Sequence, residues 1–217
     1  MTLAPRSGLA PLAFVAGLVL AGCSTTQTEG QKKMSQLSEQ MERLETALTA
    51  SKKDLQKTLQ AHDMLVSNAE GDLKENFGRF QDWIERCSER QQQIASLLDQ
   101  ISTTSTSYFA GWEADVDRID NPDLRERSEQ RLEETRKRVE TMQSQVASTR
   151  TAFEPLLVTL RDHLLYLSND LTIGAAASLS KDSGKLRTDV GTLTRELEEG
   201  AVPVRECAQA LSTGPKS

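Results

Sequence analysis

Apolar residues recur every seven positions along most of this chain. Met34, Met41, Leu48 and Leu55 form one series, and Leu37, Leu44 and Leu65 a second beside it, with Ser51 and Thr58 as polar interruptions. No Pro or Gly occurs between Gln31 and Val66, so this spacing predicts one amphipathic helix with coiled-coil character. At ~1.5 Å per residue it would be ~54 Å long. Asn68 to Asp72 breaks the pattern, and Asp72 can cap the next helix.

The periodicity resumes from Leu73 to about Ile119. One seam holds Leu73, Phe80, Cys87, Ile94, Ile101 and Tyr108; the other holds Phe77, Ile84, Gln91, Leu98, Ser105 and Trp112. Ser102 to Ser107 has poor helix propensity but fits a polar face of a continuous helix. Asp120-Asn121-Pro122 ends that helix, since proline suits the first turn of a new one and Asn121 or Asp120 can cap it. A third helix is expected from Asp123 to about Leu171, on Leu132, Val139, Val146, Phe153, Leu160 and Leu167, with Met142, Thr149 and Leu156 on the adjoining ridge. Pro155 lies within it and removes one backbone donor, which predicts a kink near Ala152, either a mild bend or a hinge. Gly174 suggests a turn. Leu179, Leu186, Val190, Leu193 and Leu197 define a fourth helix, which Gly200 and Pro203 should interrupt before a final short helix from Val204 to Leu211.

Such helices, joined by short breaks, must bury their seams against each other. The expected fold is all-α: an elongated antiparallel up-and-down bundle of about four long helices over residues 31–211, with residues 212–217 as a frayed tail. A dimeric coiled coil is the alternative.

The first thirty residues change the picture. Residues 1–22 have the order of a signal peptide, with Arg6 ahead of an apolar run from Leu9 to Ala21 that is too short to span a bilayer. Leu20-Ala21-Gly22-Cys23 resembles the lipobox of bacterial lipoproteins. That resemblance implies cleavage before Cys23, diacylglycerol on its thiol and an acyl group on its new amine. An ordinary signal peptide with a chance cysteine is the alternative. Several acyl chains together anchor firmly, so the expected product is a membrane-anchored protein, on a flexible linker over residues 23–30. Ser24 differs from the aspartate that marks inner-membrane retention, which implies an outer-membrane address facing the periplasm.

Composition narrows the partners. Cleavage would leave 195 residues (217 − 22) and, without Arg6, 25 Lys and Arg against 32 Asp and Glu, a net charge of −7. An acidic body excludes nucleic acid and a polybasic grip on anionic lipid. Aromatic residues are only 4%, which favours long solvated helices over sheets.

From Tyr108 onward the chain resembles a family of predicted bacterial lipoproteins grouped as domain of unknown function 2959. The likeness lies in Trp112-Glu113, Leu124 to Ser128, Leu132 to Arg136, Glu154 to Leu157, Leu160 to Leu167 and Ala175 to Leu179. It implies an all-helical, coiled-coil-like protein with an unbroken last helix, from which Gly200 to Pro203 looks like a departure. No activity comes with the family, so no functional residues are carried over.

Catalytic patterns are missing from the sequence: it has no nucleophile elbow, phosphate loop or paired His and Cys ligands. An enzyme, a cofactor and a metal site are therefore not expected. His62 falls on an apolar seam, and His163 follows Asp162; both suit bundle faces. Arg161-Asp162, set among leucines, could be an interhelical ion pair that fixes register or a partner-recognition spot. Cys87 and Cys207 would be the only cysteines left once Cys23 is lipidated. An oxidising compartment permits a disulfide between them, although a simple bundle sets them far apart along its axis. The expected role is an envelope adaptor or scaffold, with a protein partner or self-association. The alternative is a carrier or chaperone for apolar ligands between loosened helices near Ser102–Ser107 or Pro155.

Overall fold

A computed structural model describes residues 28–67 and 72–213. Residues 1–27, which include the lipobox with Cys23 and most of the expected linker, Asn68 to Gly71 and the last four residues lie outside the described residues; Glu29 and Gly30, expected in the flexible linker 23–30, belong to the first helix. Five helices follow one another: α1 (Glu29–Ser67), α2 (Leu73–Val116), α3 (Pro122–Asn169), α4 (Ile173–Ser178) and α5 (Ser180–Thr213).

Local chemistry accounts for the starts of these helices. Thr28 and Gln31 make a reciprocal capping box: the Gln31 N–H donates to Thr28 Oγ1, and the Thr28 N–H donates to Gln31 Oε1. The helix therefore begins at Glu29, two residues before the periodicity starts. Asp72 caps α2 by accepting from the Lys74 N–H at 2.8 Å. Asn121 caps α3 through the N–H groups of Asp123 and Leu124, ahead of Pro122. Thr172 accepts from the Ala175 N–H, so the segment around Gly174 forms the short helix α4 instead of a turn.

The four long helices pack in a ring. α1 lies most extensively against α2 and α5, and α3 lies against α2 and α5, diagonally across from α1. Ion pairs mark the register. Glu45–Arg205, Lys52–Glu198 and Asp63–Arg187 join α1 to α5, and the residue numbers add to 250 in each pair. A constant sum means antiparallel neighbours. Arg136–Glu113 at 2.6 Å and Gln91–Glu154 at 3.0 Å join α2 to α3 in the same antiparallel sense. The bundle thus has a near end, where α1 and α3 begin, and a far end, where they finish and α4 lies. At ~1.5 Å per residue, the 39 residues of α1 put these ends ~58 Å apart.

The core is the set of seams read from the heptads. Leu37, Leu44, Leu48 and Leu55 of α1, Phe80 and Ile101 of α2, and Val146, Phe153, Leu160 and Leu167 of α3 are all buried. The polar interruptions are accommodated by back-bonding: Ser51 donates to the Ala47 carbonyl and Thr58 to the Asp54 carbonyl, both at 2.8 Å. Thr103, Ser105 and Thr106 do the same in α2, which stays helical through Ser102–Ser107.

α3 runs as one helix through Pro155, the continuous helix expected there. The interruption expected at Gly200 and Pro203 does not occur. α5 runs through Gly200 and Pro203, so residues 204–211 continue it and are not a separate helix. Packing outweighs local propensity here. Ala201, Val204, Cys207, Ala208 and Leu211 are buried, and the Arg205–Glu45 pair ties this part of α5 to α1.

Candidate functional site

An exposed apolar face at the far end is the feature least explained by folding. On α3, Val158 and Leu165 are seven residues apart and so lie on one stripe, with Tyr166 beside it; Ile173 opens α4. They are 47%, 64%, 46% and 60% exposed, which is far from the core positions Leu160 and Leu167 next to them. The Tyr166 hydroxyl lies 3.1 Å from Ser178 Oγ, linking the end of α3 to α4. Charged groups flank the stripe: Glu154 and Arg161 on one side and Asp162 on the other. Arg161 and Asp162 do not form the interhelical ion pair that was one expectation. Arg161 donates to Ser88 Oγ at 2.9 Å and sits 3.9 Å from Glu154 on its own helix. Neighbouring helical residues point about 100° apart, so Asp162 is turned away from it.

Behind this face, the far end has an unusual core. The rings of His62 from α1 and His163 from α3 stack at 5.3 Å between centroids, and Phe80 from α2 meets His62 edge-on at 5.5 Å. His62 is fully buried and His163 nearly so. Among the described residues, neither nitrogen of His62, nor Nδ1 of His163, has a hydrogen-bond partner. Asp182 Oδ2 lies 3.9 Å from His163 Nε2, and Asp63 Oδ1 lies 3.9 Å from His62 Nδ1, both beyond hydrogen-bond reach. Burial, followed by repulsion from His163, lowers the His62 pKa to about 4. Burial also lowers that of His163, against the pull of Asp182 and Asp162. Both rings are therefore neutral near pH 7. In the sequence these histidines stand 101 residues apart on separate helices, and only antiparallel register brings them together.

At the near end, all four long helices line a cavity of about 120 Å³. Met34, Tyr108, Trp112, Val139, Cys207 and Leu211 supply its apolar walls, and Arg131 and Arg138 its polar edge. Trp112 donates to Ser128 Oγ at 2.9 Å, fixing its ring.

The cysteines lie apart. Cys87 sits 3.2 Å from Thr58 Oγ1 on α1, and Cys207 lines the near-end cavity with Met34 of the same helix. Residues 58 and 34 of α1 are ~36 Å apart along its axis, well beyond disulfide reach. Both thiols are free and buried, and burial pushes the pKa of each up to about 11. No break near Gly200 brings them closer, because α5 is continuous. Among the described residues, no cluster of three or more His, Cys, Asp or Glu is arranged to hold a metal ion, and no helix is long and apolar enough to cross a membrane.

Sequence periodicity missed Val158 and Ile173, because the stronger series through Phe153, Leu160 and Leu167 runs past them. The signal was present as a second seven-residue step from Val158 to Leu165, offset from the core seam.

Comparison with known proteins gives one match. The family model described as Protein of unknown function (DUF2959) matches residues 23–208. No curated protein and no solved structure matches the chain.

Proposed function

The chain belongs to the DUF2959 family, and from that premise we propose that it is a non-enzymatic envelope adaptor. In this reading, lipid on Cys23 tethers the near end to the outer membrane on its periplasmic side, and the far end holds a protein partner. The observation that carries it is the position of the apolar face. Val158, Leu165, Tyr166 and Ile173 are exposed at the end of the bundle opposite the start of α1. An exposed apolar stripe of this kind fits an interaction site. Helical spacing of the stripe, with charges of both signs beside it, fits an amphipathic helix of another envelope protein.

The test is a photo-crosslinking residue placed at Leu165, and separately at Leu124, an exposed apolar position at the near end. The expected result is one envelope protein captured from position 165 and not from 124, lost in Cys23→Ala and in a Val158→Asp form. Capture of the chain by itself alone, or equal capture in Cys23→Ala, overturns the tethered adaptor.

A carrier of small apolar ligands is the second reading, favoured by the near-end cavity that Tyr108 and Trp112 help to line. Its volume of about 120 Å³ is close to what one aromatic ring fills. Saturable binding of a fluorescent aromatic probe, abolished by Ala210→Phe, supports this reading, and unsaturable binding refutes it.

A further inference from the structure

We propose that the His62–His163 stack is an acid-sensitive latch that holds the far ends of α1 and α3 together while both rings are neutral and releases them when either takes up a proton. This inference does not depend on the anchor or on the adaptor role.

The geometry sets two states against each other. In the closed state the rings fill the centre of the bundle, where they stack on each other and against Phe80. Their orphan nitrogens are tolerated because a neutral imidazole costs far less to bury unpaired than an imidazolium does. A proton on either ring places a charge in a largely apolar site whose nearest carboxylates, Asp63 and Asp182, stand 3.9 Å away and beyond hydrogen-bond reach, and a second proton is repelled by the first across 5.3 Å.

An open state has partners ready. From α1, Asp63 stands at the rim, held at 2.9 Å by Arg187 of α5. From α5, Asp182 faces His163 Nε2 at 3.9 Å. Asp162 neighbours His163 on α3, whereas α2 presents the uncharged Phe80 ring and α4 the buried methyls of Ala175 and Ala176. Three carboxylates against one guanidinium make the rim a favourable place for an imidazolium that rotates outward. Outward rotation of either ring breaks the stack through which α1 and α3, diagonal in the bundle, meet at this layer, and leaves the space it filled to water. The far end is also where α3 carries its exposed stripe, so opening would change that face directly.

The size of the effect follows from the two environments. With His62 titrating at about 4 when closed and about 6.5 when solvated, the opening equilibrium at pH 5 rises about thirtyfold over its value at pH 7.5. The chain holds only two histidines, so their ring protons can be followed individually by NMR in the purified full chain.

The expected outcome has three parts. Both histidines titrate below 6.5. Deuterium uptake, corrected for intrinsic exchange, rises more than tenfold at residues 55–66 and 157–168 between pH 7.5 and pH 5, while residues 37–48 and 204–211 at the near end stay protected. The double variant His62→Leu with His163→Leu loses this rise. A histidine that titrates at or above 6.5, uptake that grows equally at both ends, or a rise that persists in the double variant overturns the latch. Should that variant not fold, the wild-type titration and uptake map decide by themselves.

Discussion

Replacing Gly200 by alanine should stabilise this protein, and working out why tests the account of α5. Gly200 sits inside the helix on its buried side. Glycine in a helix interior costs about 0.8–1.0 kcal/mol relative to alanine, mostly through the freedom of the unfolded chain. The decisive quantity is the space for a methyl group. A Cβ built there meets Thr149 Oγ1 at 3.4 Å and Val146 Cγ2 at 4.0 Å, which is ordinary contact without overlap. Burial of that methyl adds up to about 0.8 kcal/mol, so the expected gain is about 1–1.5 kcal/mol. For a chain of this size that raises Tm by about 2–6 °C. Gly191→Ala is the internal control: Gly191 is exposed on the same helix and nothing lies within 4 Å of its added Cβ, so it should gain the propensity part alone. Urea denaturation measures both, read as a shift in midpoint at constant slope. Loss of stability in Gly200→Ala beside a gain in Gly191→Ala would refute the packing of α5 on α3 at this layer. No gain in either would refute the continuous helix.

Three further outcomes follow from the same structure. His62 has a folded pKa below its unfolded value, so its contribution is fully present above pH ~6.5 and is lost as pH falls toward about 4; the loss is about 3 kcal/mol, and urea midpoints at pH 7.5 and pH 4.5 should show it, with His62→Leu flattening the difference. Phe153→Ala empties a core position that is 1% exposed and should cost about 3–5 kcal/mol in the same assay. Both Cys87 and Cys207 should resist an aqueous thiol reagent in the folded state and react at once in urea, with unchanged mobility on a non-reducing gel; a reagent-resistant pair in urea without reductant would reveal a bridge.

Much of this fold is written in the heptads. Met41, Leu48, Leu55, Phe80, Ile94, Val139, Val146 and Leu160 were assigned inward by spacing alone, and all are buried, because a seven-residue repeat leaves a helix only one face to hide. Asp72 and Asn121 were likewise legible as caps, since capping is settled within three residues. Local chemistry also suggested a break at Gly200 and Pro203, and there it misled. Whether a poor helix former interrupts a helix depends on what the helix is pressed against, and the buried face of Ala201, Val204, Cys207, Ala208 and Leu211, tied to α1, keeps α5 whole.

The tertiary structure decided whatever joins distant residues. Periodicity placed His62 on an apolar seam and left His163 only as a bundle-face residue, and their stacking depends on the register of four antiparallel helices. That register shows in pairs such as Glu45–Arg205 and Asp63–Arg187, whose partners lie more than a hundred residues apart and resemble any other surface charge in the sequence. The separation of Cys87 from Cys207 and the exposure of Leu165 beside the buried Leu167 have the same origin. A sequence specifies which side of a helix is apolar; which apolar positions find a neighbour, and which are left open to a partner, is determined only when the helices are set against one another.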